Sequence, residues 1–282
     1  PGARTISLSG VTDDGPGTGP DENTARPDAV ASVSLTPVND PPTLSATPVD
    51  GAVPEQSETS LFEALSVSVV EPGQTVERIV LEARGVLDGA SETLIFGGSR
   101  EALPLSDGET RIGSDVVATV SESGGVRTVT FTGSLSPVEA ASLLEGLGYR
   151  HDSDDPTPGP RQIQLLSIAD SGSASAPGDN TLDLASRDLV ADIDPLPVND
   201  APILTASNAG SVLAFDEGDP AVGLFVDVNA DPIESSQRFE SVSIAISGLL
   251  DGASERLLID GSEIPLTASP SGAISGTTSG TV

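Results

Sequence analysis

The sequence predicts an all-β chain of β-sandwiches in series, and three observations carry that expectation. Short runs of alternating apolar and polar residues recur between turn residues, one capped helix interrupts them, and a landmark stretch returns along the chain. The landmark is Pro37-Val38-Asn39-Asp40-Pro41-Pro42, which comes back as Pro197-Val198-Asn199-Asp200-Ala201-Pro202, a period of 160 residues. A second stretch, Leu87-Asp88-Gly89-Ala90-Ser91-Glu92, returns as Leu250-Asp251-Gly252-Ala253-Ser254-Glu255 at a spacing of 163. Self-similarity at a nearly fixed spacing is the mark of a tandem array.

The elements follow in order. Ile6 and Leu8 alternate with polar neighbours, as do Val33 and Leu35, with a Gly/Pro/Asp loop between them from 13 to 28. In the next repeat Leu65, Val67 and Val69 alternate until Glu71-Pro72-Gly73 breaks the run, and Ile79, Leu81 and Ala83 define the following strand. Asp88-Gly89 is a turn signal, and 93–96 lead out of it. Val116 to Val120, Ser123-Gly124-Gly125 and Arg127 to Thr132 read as a hairpin, with Val129 and Phe131 inward and threonines outward. Ser136-Pro137-Val138-Glu139 is a capping box with proline at the first helical position, followed by Ala140, Leu143, Leu144 and Leu147 at helical spacing. Ile163, Leu165 and Ile168 run into Asp170, and Ala191 to Asp194 close the repeat. Val226-Asp227-Val228 and Val242, Ile244, Ile246 begin it again.

Residues 41–200 therefore make one complete repeat. Residues 1–40 match only its end, since Arg4, Ile6 and Leu8 line up with Arg161, Ile163 and Leu165. Residues 201–282 match only its beginning, with Ile264-Pro265-Leu266 opposite Leu103-Pro104-Leu105. The expectation is a window from a longer chain. A period of 160 is long for one sandwich; the excess is assigned to the acidic loops and the helix, with two small sandwiches per period as the alternative.

Forty-three acidic against twelve basic residues give a formal charge of −31, and every basic residue is arginine. Such a surface repels nucleic-acid phosphates and anionic lipid. Two compatible readings remain: the carboxylates are calcium ligands, or they form a solvated acidic coat suited to a salty habitat. Cysteine is absent, which excludes disulfides and thiolate metal sites. No apolar run is long enough to span a bilayer and no signal peptide is visible. Aromatic residues make up 2 %, so the core is expected to be Val, Leu, Ile and Ala.

At the landmark, prolines flank Asn39-Asp40, and again Asn199-Asp200, holding oxygen-bearing side chains at a seam between repeats. Fixed oxygens suit a hard cation such as calcium, whereas Asn, Asp and Pro also make turns whatever they bind. Asp152, Asp154 and Asp155 crowd one turn beside Pro156, where like charges are unfavourable unless a cation intervenes; an exposed turn is the alternative. The sole histidine, His151, is expected at a strand end, and one histidine cannot furnish a repeated metal pair or triad. The Leu-Asp-Gly-Ala-Ser-Glu repeat is expected to be a tight turn. No phosphate-cradling glycine loop is present, and no catalytic residues are expected.

The Val-Asn-Asp-(Pro/Ala)-Pro seam, together with Tyr149-Arg150-His151-Asp152-Ser153-Asp154-Asp155-Pro156, Arg161 and the strand ending at Asp170, resembles the cadherin-like repeats of large bacterial calcium-dependent surface adhesins. The resemblance covers most of the chain and implies cadherin/Ig-like β-sandwich repeats with one short helix each. It also implies that the seam acts with an early glutamate of the neighbouring repeat, for which Glu55 and Glu217 are candidates. The cadherin linker's second asparagine is replaced here by Pro41 or Ala201, which leaves the number of ions per seam open. Asp170, and Asp13 or Asp14 in the first fragment, end strands where that family carries an aspartate. Asp227, Asn229 and Asp231 are similar to its Asp-x-Asp segment, where the complete repeat has Ser68 and Glu71 instead. The expected function is a calcium-rigidified extender of a cell-surface adhesin or extracellular filament. Its partners would be adjoining repeats and homotypic contacts, with no nucleic acid and no membrane insertion. The alternatives are a self-assembling polymer subunit and a carbohydrate-binding module; against the latter, the chain has one tyrosine and no tryptophan as sugar platforms.

Overall fold

Alternation of apolar and polar residues turns Ile79, Leu81 and Ala83 of Val76–Arg84 inward, all buried, and Val76 is buried too beyond a shift in register. In the computed structural model this strand is central to a large antiparallel sheet. On one side lie Val126–Leu135, Val116–Ser123 and Gly108–Ile112; on the other lie Arg161–Asp170 and Val190–Leu196. Registers are fixed by the same pattern: Leu81 faces both Val129 and Leu165, each buried, so a one-residue slip would turn that layer to solvent. The structure describes residues 2–19, 23–35, 38–96, 100–112, 114–173, 180–207, 213–259, 261–266 and 273–274. Pro37 of the first seam lies outside them.

The chain divides into two compact units: Pro1–Gly51, Glu58–Arg150 and Pro160–Asp194 form one, and Ala52–Ser57, His151–Gly159 and Pro195–Val282 the other. In the first unit a smaller sheet orders Glu101–Pro104, Glu92–Phe96, Gly148–His151 and Glu58–Ser60. The two sheets share one core, where Phe96 of the small sheet meets Phe131 of the large one edge-on at 5.4 Å. The scarce aromatics are concentrated there: Phe62, Phe96, Phe131 and Tyr149 are all buried. Full burial of such a side chain contributes about 1.5–3 kcal/mol, so four of them carry weight that the 2 % composition conceals.

The expected helix spans Pro137–Glu145, and both halves of its capping box form: Ser136 Oγ accepts the Glu139 N–H, and the Glu139 carboxylate accepts the Ser136 N–H at 2.8 Å. Ala140, Leu143 and Leu144 are buried. The expected hairpin turns at Gly124 and Gly125, both at positive φ, as a two-residue loop requires. Gly2–Leu8 pairs with Ala29–Leu35, and Thr43–Pro48 with Phe62–Ser68. In the second unit Ile203–Ser207 pairs with Val226–Asp231, and Arg256–Ile259 with Ser262–Pro265. The chain is thus all-β with a single α-helix among the described residues. No helix of the described residues is long and apolar enough to cross a membrane.

Candidate metal centres at the two seams

Each seam is held by a carboxylate and a carboxamide that follow it by about thirty residues. At the first, Glu71 Oε1 accepts the Asp40 backbone N–H at 3.2 Å, and Gln74 Nε2 donates to Asn39 Oδ1. At the second, Glu234 Oε1 accepts the Asp200 N–H at 2.5 Å, and Gln237 Nε2 donates to Asn199 Oδ1 at 2.9 Å. The same Glu-x-x-Gln motif therefore clasps the same Asn-Asp pair twice. Neither glutamate is among the ligand candidates read from the sequence, where Glu71 stands only at the place of the Asp227–Asp231 segment. The signal was present, because Glu71 and Gln74 recur as Glu234 and Gln237 at 163 residues, the spacing of the turn landmark.

The second seam gathers the most charge. Glu55, 8 % exposed, uses Oε1 to accept the Val198 N–H at 3.1 Å. Asp154 accepts from Gln56 Nε2, and Asp155 Oδ2 accepts the Ser235 N–H at 3.0 Å. Burial pushes the Glu55 carboxyl above its ordinary value; the Val198 N–H opposes that, and the charges of Asp200, Asp154 and Glu234 add to it. The second oxygens of Glu55 and Glu234 are buried and accept no hydrogen bond. Backbone strain brackets both glutamates: Gln56 has φ 56° and the β-branched Ile233 has φ 73°.

At the first seam Asp170, 2 % exposed, accepts from Asn39 Nδ2 at 3.3 Å and from the Gly172 N–H at 2.9 Å through Oδ1. Its Oδ2 and the Oε2 of Glu71 are again buried and unpartnered. The sequence left Asp13 and Asp14 open as the counterpart of Asp170. The hydrogen-bond pattern matches Asp13, whose Oδ1 accepts the Gly15 N–H as that of Asp170 accepts Gly172, and whose N–H reaches Asn23 as that of Asp170 reaches Asn180.

Other sequence candidates lie elsewhere. Glu217 is exposed in a turn closed by the Asp219 N–H on the Asp216 carbonyl. Asp227 accepts from Ser207 Oγ, and Asp231 spends Oδ1 on the Ile233 N–H, which shapes the bend that delivers Glu234. His151 is buried, with Nδ1 accepting the Ser153 N–H.

The repeated Leu-Asp-Gly-Ala-Ser-Glu stretch is a turn tied by its own glutamate. Glu92 Oε1 accepts the N–H groups of Leu87 and Asp88 at 2.8 and 2.9 Å, and Glu255 Oε1 does the same for Leu250 and Asp251, each at 2.9 Å. Glu92 Oε2 further accepts from Tyr149 Oη at 2.9 Å and Arg161 Nε at 3.0 Å, all three side chains being fully buried. Burial and the Glu92 charge push the Tyr149 phenol up, so it stays protonated and donates. With four donors on its four acceptor sites Glu92 has no room for a cation. The seam carboxylates differ from it in this respect.

Among the described residues the one group of three acidic or histidine side chains close enough together to share an ion is Asp88, Glu92 and His151, and the four half-satisfied carboxylates lie instead at the two seams. They offer oxygen only, carry negative charge, and point buried atoms at no donor of the chain. No family model matches the chain, and no curated protein matches it.

Proposed function

We propose that the chain is a structural, non-enzymatic segment of an extracellular surface protein, built from cadherin-like β-sandwich repeats whose seams bind calcium. The observation that carries this reading is the pair of buried, unpartnered oxygens on Glu55 and Glu234, on either side of Asp200 in sequence. Glu55, Asp154 and Asp155 come from the repeat before the seam, and Glu234 from the one after it. Glu55, Asp154, Asp155, Asp200 and Glu234 would hold the cation at the second seam; Asp40, Glu71 and Asp170 would hold it at the first. A bound divalent ion supplies positive charge where carboxylates of successive repeats otherwise repel, and so limits how the repeats swing about the proline-flanked link. That property suits a spacer that holds something away from a cell surface.

Small-angle scattering on the full chain, in millimolar calcium and in chelator, tests the reading. Calcium should extend the maximum dimension and reduce flexibility, and Asp200→Ala should abolish the difference. Identical profiles in all three conditions would show that the prolines alone set the stiffness, and the reading would be wrong.

A further inference from the structure

We propose that Gln74 and Gln237 are positioning residues that fix which atoms of each seam face the cation. The inference rests on the calcium reading above and concerns the seam asparagines, which the sequence marks as ligands.

The amide ends of both asparagines are identified by their partners. Asn39 Nδ2 lies 3.3 Å from Asp170 Oδ1, and Asn199 Nδ2 lies 3.1 Å from the Asp200 carbonyl oxygen. A carboxylate and a carbonyl only accept, so each asparagine presents its NH₂ there. The opposite end, Oδ1, then points at the glutamine, which must supply a donor, and Nε2 of Gln74 and of Gln237 does so. A glutamate of the same length would set two acceptors against each other. This is a physical reason for glutamine to follow the clasping glutamate by three residues at both seams.

At the first seam the asparagine oxygen is thus turned to Gln74, and its NH₂ is spent holding Asp170 Oδ1, which leaves Asp170 Oδ2, like Glu71 Oε2, buried and unpartnered. Asn39 and Asn199 act as braces in this arrangement, and the cation is left to the buried unpartnered oxygens, those of the carboxylates and, at the first seam, Gln74 Oε1. Gly172 makes room for the brace, since a Cβ there would overlap the Asn39 carboxamide.

Calcium titration calorimetry on the full chain tests this with Gln74→Glu and Gln237→Glu, each compared with the leucine substitution. Added negative charge by itself strengthens calcium binding. Loss of the donor, if the glutamine positions the asparagine, weakens it. The expected result is about tenfold weaker binding at the altered seam for both the glutamate and the leucine variants. Tighter binding in the glutamate variants, or unchanged binding in the leucine variants, overturns the inference. Glu71→Gln and Glu234→Gln separate this from the calcium reading: if they lower calcium binding while the glutamine variants do not, only the positioning role fails. If the wild-type chain takes up no calcium, both fail.

Discussion

Glu234 accepts the Asp200 backbone N–H at 2.5 Å through one carboxylate oxygen, while its other oxygen is buried and meets no donor. A buried group left unsatisfied costs about 1–3 kcal/mol, and more when charged. The metal-free seam therefore stores a penalty that a bound cation would relieve.

The first prediction follows from that penalty. Extracellular calcium modules bind with dissociation constants of roughly 10⁻⁴ to 10⁻³ M, and saturation a hundredfold above that constant stabilises the folded state by about 2.7 kcal/mol. Glu234→Gln should remove most of this gain and leave the metal-free protein as stable as before or more so. Urea denaturation in calcium and in chelator measures both. A substitution that destabilises the two forms equally would mark Glu234 as structural only.

Glu55 gives a dependence on pH. Its folded-state pKa is raised above the ordinary 4.5, so the folded chain holds this proton more tightly than the unfolded chain does. Between 4.5 and the raised value its contribution to stability falls as pH rises. In chelator the wild type should lose urea resistance across that window, and Glu55→Gln should flatten the loss. In calcium the charged form is the one that binds, so the slope should reverse.

The Glu92 network should behave independently of calcium. Arg161→Met leaves a buried carboxylate short of its cation, a change that costs about 3–5 kcal/mol. Tyr149→Phe removes one hydrogen bond to a charged group, worth roughly 1.5–3 kcal/mol. Denaturation midpoints should fall by the same amount with and without calcium, and a loss confined to the calcium form would contradict the assignment.

Gly172→Ala should act on one seam alone. Its Cβ would displace the Asn39 carboxamide, whereas at Gly51 an added Cβ meets nothing within 4 Å. The first substitution should weaken one class of calcium sites by about tenfold in titration, and Gly51→Ala should leave both unchanged.

Much of this architecture is legible in the residues, and the reason is local. Val129 and Phe131 alternate with threonines, and a two-fold period reports an inward face directly. Ser136, Pro137 and Glu139 encode a helix start within four residues. The residues that clasp the seams are harder to find, because Glu71 reaches Asp40 across a sequence separation of 31 and Glu234 reaches Asp200 across 34. The aspartates at 227 and 231 look more like ligands, yet one holds Ser207 and the other shapes a bend. Composition also hides what burial shows: few aromatics are present, but three phenylalanines and the tyrosine sit in one core.

The Glu92 turn bears on how such a chain is made. Its first oxygen is satisfied within six residues, but its second waits for Tyr149 and Arg161, 57 and 69 residues later. At about 5–20 residues per second on the ribosome, Arg161 emerges roughly 3–14 s after Glu92. Glu255, which builds the same turn, does not yet exist at that moment. Between these two copies of the turn, synthesis therefore offers Arg161 the glutamate at 92 before the one at 255, and the later copy is kept from competing by order of birth. Refolding from denaturant presents both glutamates at once, so Glu255→Gln should raise the yield of refolded chain while leaving the yield of newly synthesised chain unchanged.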